Sequence, residues 1–129
     1  AGIAYNTMGT SLPLCTAARA VPFPNMQLLS PCIHTDCDGE VFTVDIPGIY
    51  QICYTLRFCN VETATTTLYI NNVPFAPATV SRTDDVFACQ CLACLEAYST
   101  VCVAITGESG NAHIQPGTQN AFLCIVRAE

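Results

Sequence analysis

Cysteine is the residue type in this sequence with the most chemistry to offer, and it is concentrated in one stretch. The chain has 129 residues and ten cysteines. Four of these cysteines lie in residues 86–102, which read VFACQCLACLEAYSTVC. Thiols at this density could bind a metal ion, take part in redox chemistry, or cross-link the chain through disulfides.

Two groups of residues have side chains that could bind zinc. They are Cys89, Cys91 and Cys94 in one segment and Cys32, His34 and Cys37 in the other. Neither spacing matches a standard zinc module, in which CxxC pairs sit on tight turns. Asp36, Asp38 and Glu40 alternate in the sequence, but no calcium-binding loop follows them. The sequence therefore predicts no metal site and no cofactor.

A catalytic cysteine would need a base, and the chain has two histidines, His34 and His113. No catalytic motif surrounds either histidine. A thioredoxin-like site is excluded because no βαβ pattern presents a CxxC motif at the start of a helix. We expect no enzymatic activity, and we interpret most cysteines as disulfide partners. The candidates are Cys53, Cys89, Cys91, Cys94, Cys102 and Cys124, with a pairing that the sequence leaves open.

The segment at residues 40–58 shows the period-two alternation that is typical of β-strands. A Pro47-Gly48 turn or bulge divides it. After this turn, alternate residues share one strongly apolar face, while Gln51, Cys53 and Thr55 share a mixed face. A strand with one apolar side belongs in a sandwich. The predicted core residues of this segment are Phe42, Tyr50, Ile52 and Tyr54.

Turn residues separate further strands at intervals of about 8 to 12 residues, which is typical of an all-β sandwich or barrel. A strand at 65–70 is followed by Asn71-Asn72 as a turn pair. Strands at 85–95 and 100–106 are close enough for a hairpin, in which Cys94 or Cys102 could form a staple. Cys53 and Cys124, which we expect on neighbouring strands, are the other well-placed pair. A final strand covers residues 121–127. We predict one domain over residues 1–129, in which residues 15–40 are the least regular part.

Composition limits the possible partners. Hydrophobic residues make up 51% of the chain, charged residues make up 11%, and the net charge is −6. With four basic residues the chain could not neutralise a row of phosphates, so we exclude nucleic-acid binding. Polar residues interrupt every long apolar run, so we predict no membrane span. The apolar surplus is expected to form contacts between subunits.

Several segments, in order, resemble one known family. They are AYNTMGT, GEVFTVDIPGIYQICYTL, TLYINNVPFAPATVS, STVCVAITG and QNAFLCIVRAE. They are similar to the C-terminal domain of the collagen-like glycoproteins that coat bacterial spores, the BclA type. That domain resembles the globular heads of complement proteins and tumour-necrosis-factor (TNF) ligands. The chain departs from the family pattern at Asn72, where glycine is usual, and in its number of cysteines.

The resemblance implies a jelly roll of two antiparallel sheets that forms a tight homotrimer and follows a collagen-like stalk. It places Gln51, Cys53 and Thr55 towards the neighbouring subunits. We therefore expect a non-enzymatic structural and contact head on a filament of the spore surface, at the exosporium or an appendage tip. Its partners would be other copies of itself and coat or appendage proteins. The alternative is a lectin-like adhesive head that binds a glycan or a host protein.

Overall fold

The computed structural model describes residues 2–13, 18–58, 64–82, 86–107, 111–114, 116–117 and 120–128. Cys15, Cys59 and both end residues of the predicted domain lie outside these ranges. The described residues form the strands β1 (Gly2–Tyr5), β2 (Thr10–Pro13), β3 (Arg19–Ala20), β4 (Asn25–Leu29), β5 (Ile33–Thr35), β6 (Phe42–Val44), β7 (Gly48–Arg57), β8 (Ala64–Ile70), β9 (Val73–Arg82), β10 (Val86–Leu95), β11 (Ser99–Gly107), β12 (Asn111–Ile114) and β13 (Ala121–Arg127). Among these residues, no helix is long and apolar enough to cross a lipid bilayer.

The strands form two large antiparallel sheets and one small one. The five-stranded sheet has the order β10-β7-β13-β1-β4. The six-stranded sheet has the order β5-β6-β11-β8-β9, with β3 also paired to β11, and β12 pairs with β2 separately. Every pairing is antiparallel. The prediction of an all-β fold with two antiparallel sheets is confirmed.

The core lies between the two large sheets, and β7 shows how the sequence builds it. Along β7 the side chains alternate between buried and half-buried positions. Tyr50, Ile52, Tyr54 and Leu56 are each at most 3% exposed and belong to the main hydrophobic cluster. Phe42, on β6 of the facing sheet, belongs to the same cluster. The inward side of β7 therefore packs against the six-stranded sheet.

A buried asparagine organises the connection between β1 and β2. The Asn6 side chain is 1% exposed. Its amide donates hydrogen bonds to the Thr10 hydroxyl at 2.6 Å and to the Pro22 carbonyl at 3.1 Å. Its carbonyl accepts the Gly9 N–H at 3.1 Å. Gly9 has φ +85°, a conformation that residues with a Cβ rarely adopt, so it permits this tight turn.

The turn between β8 and β9 forms where the sequence predicts it. Asn71 and Asn72 have φ values of 53° and 65°, so both central residues are left-handed. This is the pattern of a type I′ hairpin turn, which matches the twist of the flanking strands. The side-chain oxygen Oδ1 of Asn71 also accepts the Thr100 N–H at 2.9 Å, which ties the turn to β11. Asparagine at position 72 therefore meets the backbone requirement that glycine would otherwise meet.

The predicted hairpin between residues 86 and 106 is wrong, although both of its strands exist. β10 pairs with β7, whereas β11 pairs with β6 and β8 in the other sheet. Residues 96–98 cross from one sheet to the other, where the Tyr98 N–H donates to the Val44 carbonyl at 2.7 Å. Cys94 and Cys102 therefore lie in different sheets. The staple predicted across this turn has no cross-strand geometry to support it.

Residues 18–40 contain β3, β4 and β5, where the sequence showed no regular period. These strands have two, five and three residues. Segments this short, separated by Pro22, Pro24 and Pro31, cannot display an alternation long enough to identify a strand. The regular pairing here comes from their neighbours β1, β6 and β11.

Candidate functional site: the outer face of the five-stranded sheet

The five-stranded sheet has one side that points away from the core, and we call this side the apolar face. Its side chains line up in rows across the sheet because the strands are in register. One row runs from Gln90 on β10 through Cys53, Cys124 and Ile3 to Leu28 on β4. The apolar face consists of Val86, Ala88, Gln90, Leu92, Cys94, Ile49, Gln51, Cys53, Thr55, Arg57, Phe122, Cys124, Val126, Ile3, Tyr5, Asn25 and Leu28.

This face is far more hydrophobic than a solvated sheet surface. Leu28 is 75% exposed and Leu92 is 63% exposed. Between them lie the exposed side chains of Ile49 and Val126, as well as the tilted ring pair Tyr5 and Phe122. Among the described residues of the face, Arg57 at its margin is the one with a charge. An apolar surface of this kind marks an interaction site, because water contact with it is unfavourable.

The outer side of the six-stranded sheet has a different character, and we call it the threonine face. Thr43 lies opposite Thr100, Thr67 lies opposite Thr79, and Thr65 lies opposite Thr106. The His34 ring nitrogen Nε2 lies 2.6 Å from the Asp45 carboxylate near the edge of this face. Hydroxyl and charged groups are compatible with water. Of the two outer faces, the apolar face is therefore the one whose exposure to water is less favourable.

The residues predicted to point towards neighbouring subunits all lie on the apolar face. Gln51, Cys53 and Thr55 are half-buried and alternate with the buried residues Tyr50, Ile52 and Tyr54. The structure thus brings all three to one surface, next to β10 and β13.

Two shallow depressions lie towards opposite sides of the five-stranded sheet. One has a volume of about 380 Å³ and lies between β7 and β10; it is lined by Cys53, Tyr54, Thr55, Ala88, Cys89 and Gln90. The other, of about 420 Å³, lies on the β1 and β4 side; it is lined by Gly2, Ile3, Leu28, Leu29 and Ser30. The two sides of the sheet therefore present different, mainly apolar shapes.

The candidate cysteines do not form a single cluster. Cys89 and Cys91 share the inward side of β10 and pack against the core. Burial, and then the charges of Cys89 and Cys53, raise the pKa of Cys91 to about 11. Cys94 is exposed on the apolar face. Cys102 lies on the outer side of β11, where burial and the carboxylates of Glu40 and Asp36 raise its thiol pKa to about 11.

Cys53 and Cys124 are direct neighbours on β7 and β13. Burial raises the pKa of the Cys53 thiol, and the charge and hydrogen bond of the Cys124 side chain raise it further. The eight cysteines that the structure describes all carry free thiols. Among the cross-strand residue pairs in the described part of the chain, this is the one in which two cysteines face each other.

The potential metal ligands that lie close together in the structure are not the two groups of zinc ligands considered from the sequence. Within the described ranges, one group of three potential ligands comes together, with atoms within 4.8 Å of one another: Asp36, Asp38 and Glu40. The Asp36 carboxylate already accepts the Glu40 N–H at 2.9 Å, so it orders its own loop. Burial, followed by the charges of Asp38 and Asp36, raises the pKa of Glu40. The groups around Cys32 and Cys89 do not converge in this way.

Sequence reasoning missed the contribution of β1 and β4 to the apolar face. Ile3 and Tyr5 come from β1, and Leu28 comes from β4. The alternation of Ile3 and Tyr5 with the buried Ala4 is a weak strand signal. The residues around Leu28 do not indicate that this leucine is exposed. Its place beside Ile3, 25 positions earlier, depends on the long-range register of β1 and β4.

Solved structures with a similar fold include TNF-family ligands. Eiger TNF from S. frugiperda has a TM-score of 0.70 at 14% identity, over 99% of this chain and 90% of that one. Rabbit GITRL has a TM-score of 0.64 at 13% identity, over 100% and 95%. Murine APRIL has a TM-score of 0.65 at 12% identity, over 92% and 98%. At these identities the likeness establishes the fold, a TNF-like jelly roll, as the sequence resemblance implied.

The family comparison covers nearly the whole chain. The model of the BclA C-terminal domain matches residues 2–129. A search of curated proteins found no match.

Proposed function

Because the chain belongs to the family of BclA C-terminal domains, which are domains of collagen-like surface proteins, we propose that it is the trimerising contact head of a spore-surface filament. Three copies associate through their apolar faces and hold the stalk chains together. The head acts by structure and contact rather than by catalysis. The observation that carries this proposal is the difference between the apolar face and the threonine face of the same sandwich.

The shape of the apolar face supports a cyclic trimer. In a three-fold assembly each contact is heterologous, so one surface of a subunit meets a different surface of the next. The β10 side, with exposed Leu92, and the β4 side, with exposed Leu28, are two such surfaces. Each has its own depression, into which a leucine of the neighbour can pack. Burial of these leucines stabilises the trimer by removing apolar area from water.

The direction of β1 supports an attachment of the stalk at one end of the sandwich. Gly2 pairs with Ile125, and β1 runs from there towards Tyr5, which pairs with Phe122. A chain segment before Gly2 would therefore join the head at the end where β13 finishes. The opposite end carries Met8, which is 74% exposed. In the filament this opposite end would point outwards and make the first contacts.

The test is the mass in solution at micromolar concentration, measured by sedimentation or light scattering. We expect about three times 13.8 kDa for the wild-type chain. Leu92→Asp places a charge within the apolar face and should give a monomer. Val73→Asp is the matched control, because Val73 is 62% exposed but lies on β9 of the other sheet. It should remain a trimer.

A wild-type monomer at this concentration would overturn the proposal. A trimer that tolerates Leu92→Asp but dissociates with Val73→Asp would move the contact surface to the other sheet. Both variants retain the buried core, so circular dichroism can verify that each is folded before its mass is interpreted.

A further inference from the structure

We propose that Cys53 and Cys124 form a reversible dithiol and disulfide couple within one subunit, at the centre of the apolar face. The two residues face each other on β7 and β13 as direct cross-strand neighbours. Both are half-buried and lie on the outer side of the sheet. The pair belongs to one chain, so the couple goes beyond the proposed assembly and does not depend on it.

The position of the pair in the ladder predicts a disulfide that is easily reduced. Hydrogen bonds join Arg57 to Asn120 and Ala128 to Ile49, each at 2.7 Å. Hydrogen-bonded and non-hydrogen-bonded residue pairs alternate along an antiparallel ladder. Cys53 and Cys124 lie an even number of pairs away from both of these hydrogen-bonded pairs, so they are a hydrogen-bonded pair as well. In such pairs the Cα atoms are about 5.5 Å apart, which suits a disulfide. The distance between the Cβ atoms, however, lies near the upper limit of the usual range of about 4.5 to 5.5 Å.

A relaxed disulfide needs Cβ atoms about 3.5 to 4.5 Å apart. Closing the bond between Cys53 and Cys124 therefore pulls β7 and β13 together on one side. The resulting strain favours reduction, as it does in disulfides that respond to redox conditions. None of the other described cysteines on paired strands has a cysteine opposite it, so they provide internal comparisons.

The oxidant is a small-molecule disulfide such as oxidised glutathione. One cysteine thiolate attacks it, forms a mixed disulfide, and releases one small thiolate. The thiolate of the second cysteine then attacks the protein sulfur of the mixed disulfide and releases the other small thiolate. In total, two protein thiols lose two electrons and two protons, and the small disulfide is reduced to two thiols.

The test uses the full chain, refolded at low concentration in a glutathione buffer so that no subunit contact covers the pair. Free thiols are then blocked under denaturing conditions, and the peptides are analysed by mass spectrometry. We expect a peptide pair that links Cys53 to Cys124. On a non-reducing denaturing gel the linked chain should run as a single chain, and excess reduced glutathione should open the bond.

Cysteine variants test whether the bond between Cys53 and Cys124 stabilises the fold. Oxidation should raise the melting temperature of the wild-type chain by about 5 to 15 °C, because the bond closes a long loop. Cys53→Ser and Cys124→Ser should lose this increment. Cys94→Ser should keep it, because Cys94 lies on the same face opposite Ile49.

Three results would overturn the proposal: no link, a link from Cys53 to another cysteine, or a link between two chains. A bond that persists in excess reduced glutathione would overturn its reversibility. The mass measurement of the trimer is separate from all of these, so a failure of the couple and a failure of the assembly can be told apart.

Discussion

The hydroxyl groups of Tyr54 and Thr66 lie 2.9 Å apart in the core and form a hydrogen bond between the two sheets. Tyr54 is on β7 of the five-stranded sheet, and Thr66 is on β8 of the six-stranded sheet. Both residues are at most 1% exposed. Burial raises the pKa of Tyr54 to about 12, while the hydrogen bond to Thr66 opposes this increase. The core thus contains a polar contact that fixes one sheet against the other.

We predict that Tyr54→Phe lowers the free energy of unfolding by about 1 to 3 kcal/mol, because it leaves the buried Thr66 hydroxyl without this partner. Adding Thr66→Val should recover part of the loss, because both polar groups are then gone. Denaturant unfolding of the two single variants and the double variant measures the coupling. Additive effects of the two substitutions would show that the contact contributes nothing.

We predict opposite sensitivities for two adjacent residues of β7. Tyr50 is 3% exposed, and its hydroxyl donates to the Ile46 carbonyl at 2.5 Å. Tyr50→Ala should cost about 3 to 5 kcal/mol of stability through the loss of buried area and the cavity left behind. Gln51→Ala, on the apolar face, should change the stability of the isolated subunit by less than about 0.5 kcal/mol. A larger loss of stability for Gln51→Ala than for Tyr50→Ala would mean that the faces of β7 are assigned backwards.

We predict that Asn6→Ala destabilises the chain by about 2 kcal/mol or more. The substitution removes the side-chain partners of the Gly9 N–H and of the Pro22 carbonyl, in a residue that is fully buried. Thr79→Ala is the comparison, because Thr79 is exposed on β9 of the other sheet. Thermal unfolding should show a drop of several degrees for Asn6→Ala alone. An unchanged melting temperature would show that the β1–β2 turn does not need this side chain.

We predict that the reduced chain loses stability as the pH rises above about 9. Burial raises the pKa of the Cys91 and Cys102 thiols from 9.0 to about 11, and that of Tyr54 from 10.0 to about 12. Unfolded chains therefore release these protons at lower pH than folded chains do. The stability contribution is complete below the unfolded pKa and is lost as the pH passes through the folded pKa.

Denaturant unfolding between pH 8 and pH 12, with a reductant present, measures this effect. Cys91→Ala removes one of the shifted groups, so its stability should fall less steeply between pH 9 and pH 11. The comparison is between slopes, since the substitution also changes the stability at neutral pH. Identical slopes would contradict a raised pKa at Cys91.

Local patterns in the sequence predicted the strands and the direction of their side chains. The alternation from Tyr50 to Leu56 is long enough to identify both faces of β7, because one face meets the core. The Asn71-Asn72 pair predicted a hairpin turn, because asparagine tolerates positive φ. Each of these features depends on residues that are close together in the chain.

Local patterns do not, in contrast, predict which strand a given strand pairs with. β10 and β11 alternate as two strands of a hairpin would, and three residues connect them. That connection instead crosses between sheets, with Tyr98 at φ 64°. The strand that β10 pairs with is β7, which lies some forty residues earlier in the chain. The sequence also suggested Cys53 and Cys124 as partners on neighbouring strands, and the register of β7 and β13 places them directly opposite each other.

The central place of β13 has a consequence for how the chain reaches its fold. β13 comes last of the strands in sequence, yet it lies between β7 and β1 in the middle of the five-stranded sheet. Until it has been synthesised, both of these strands have an open edge, and the core lacks Leu123 and Ile125. Such edges can pair with other chains and begin aggregation. The sheet therefore cannot be completed during synthesis of the first 120 residues, and a nascent chain stalled before Ala121 should depend on chaperones.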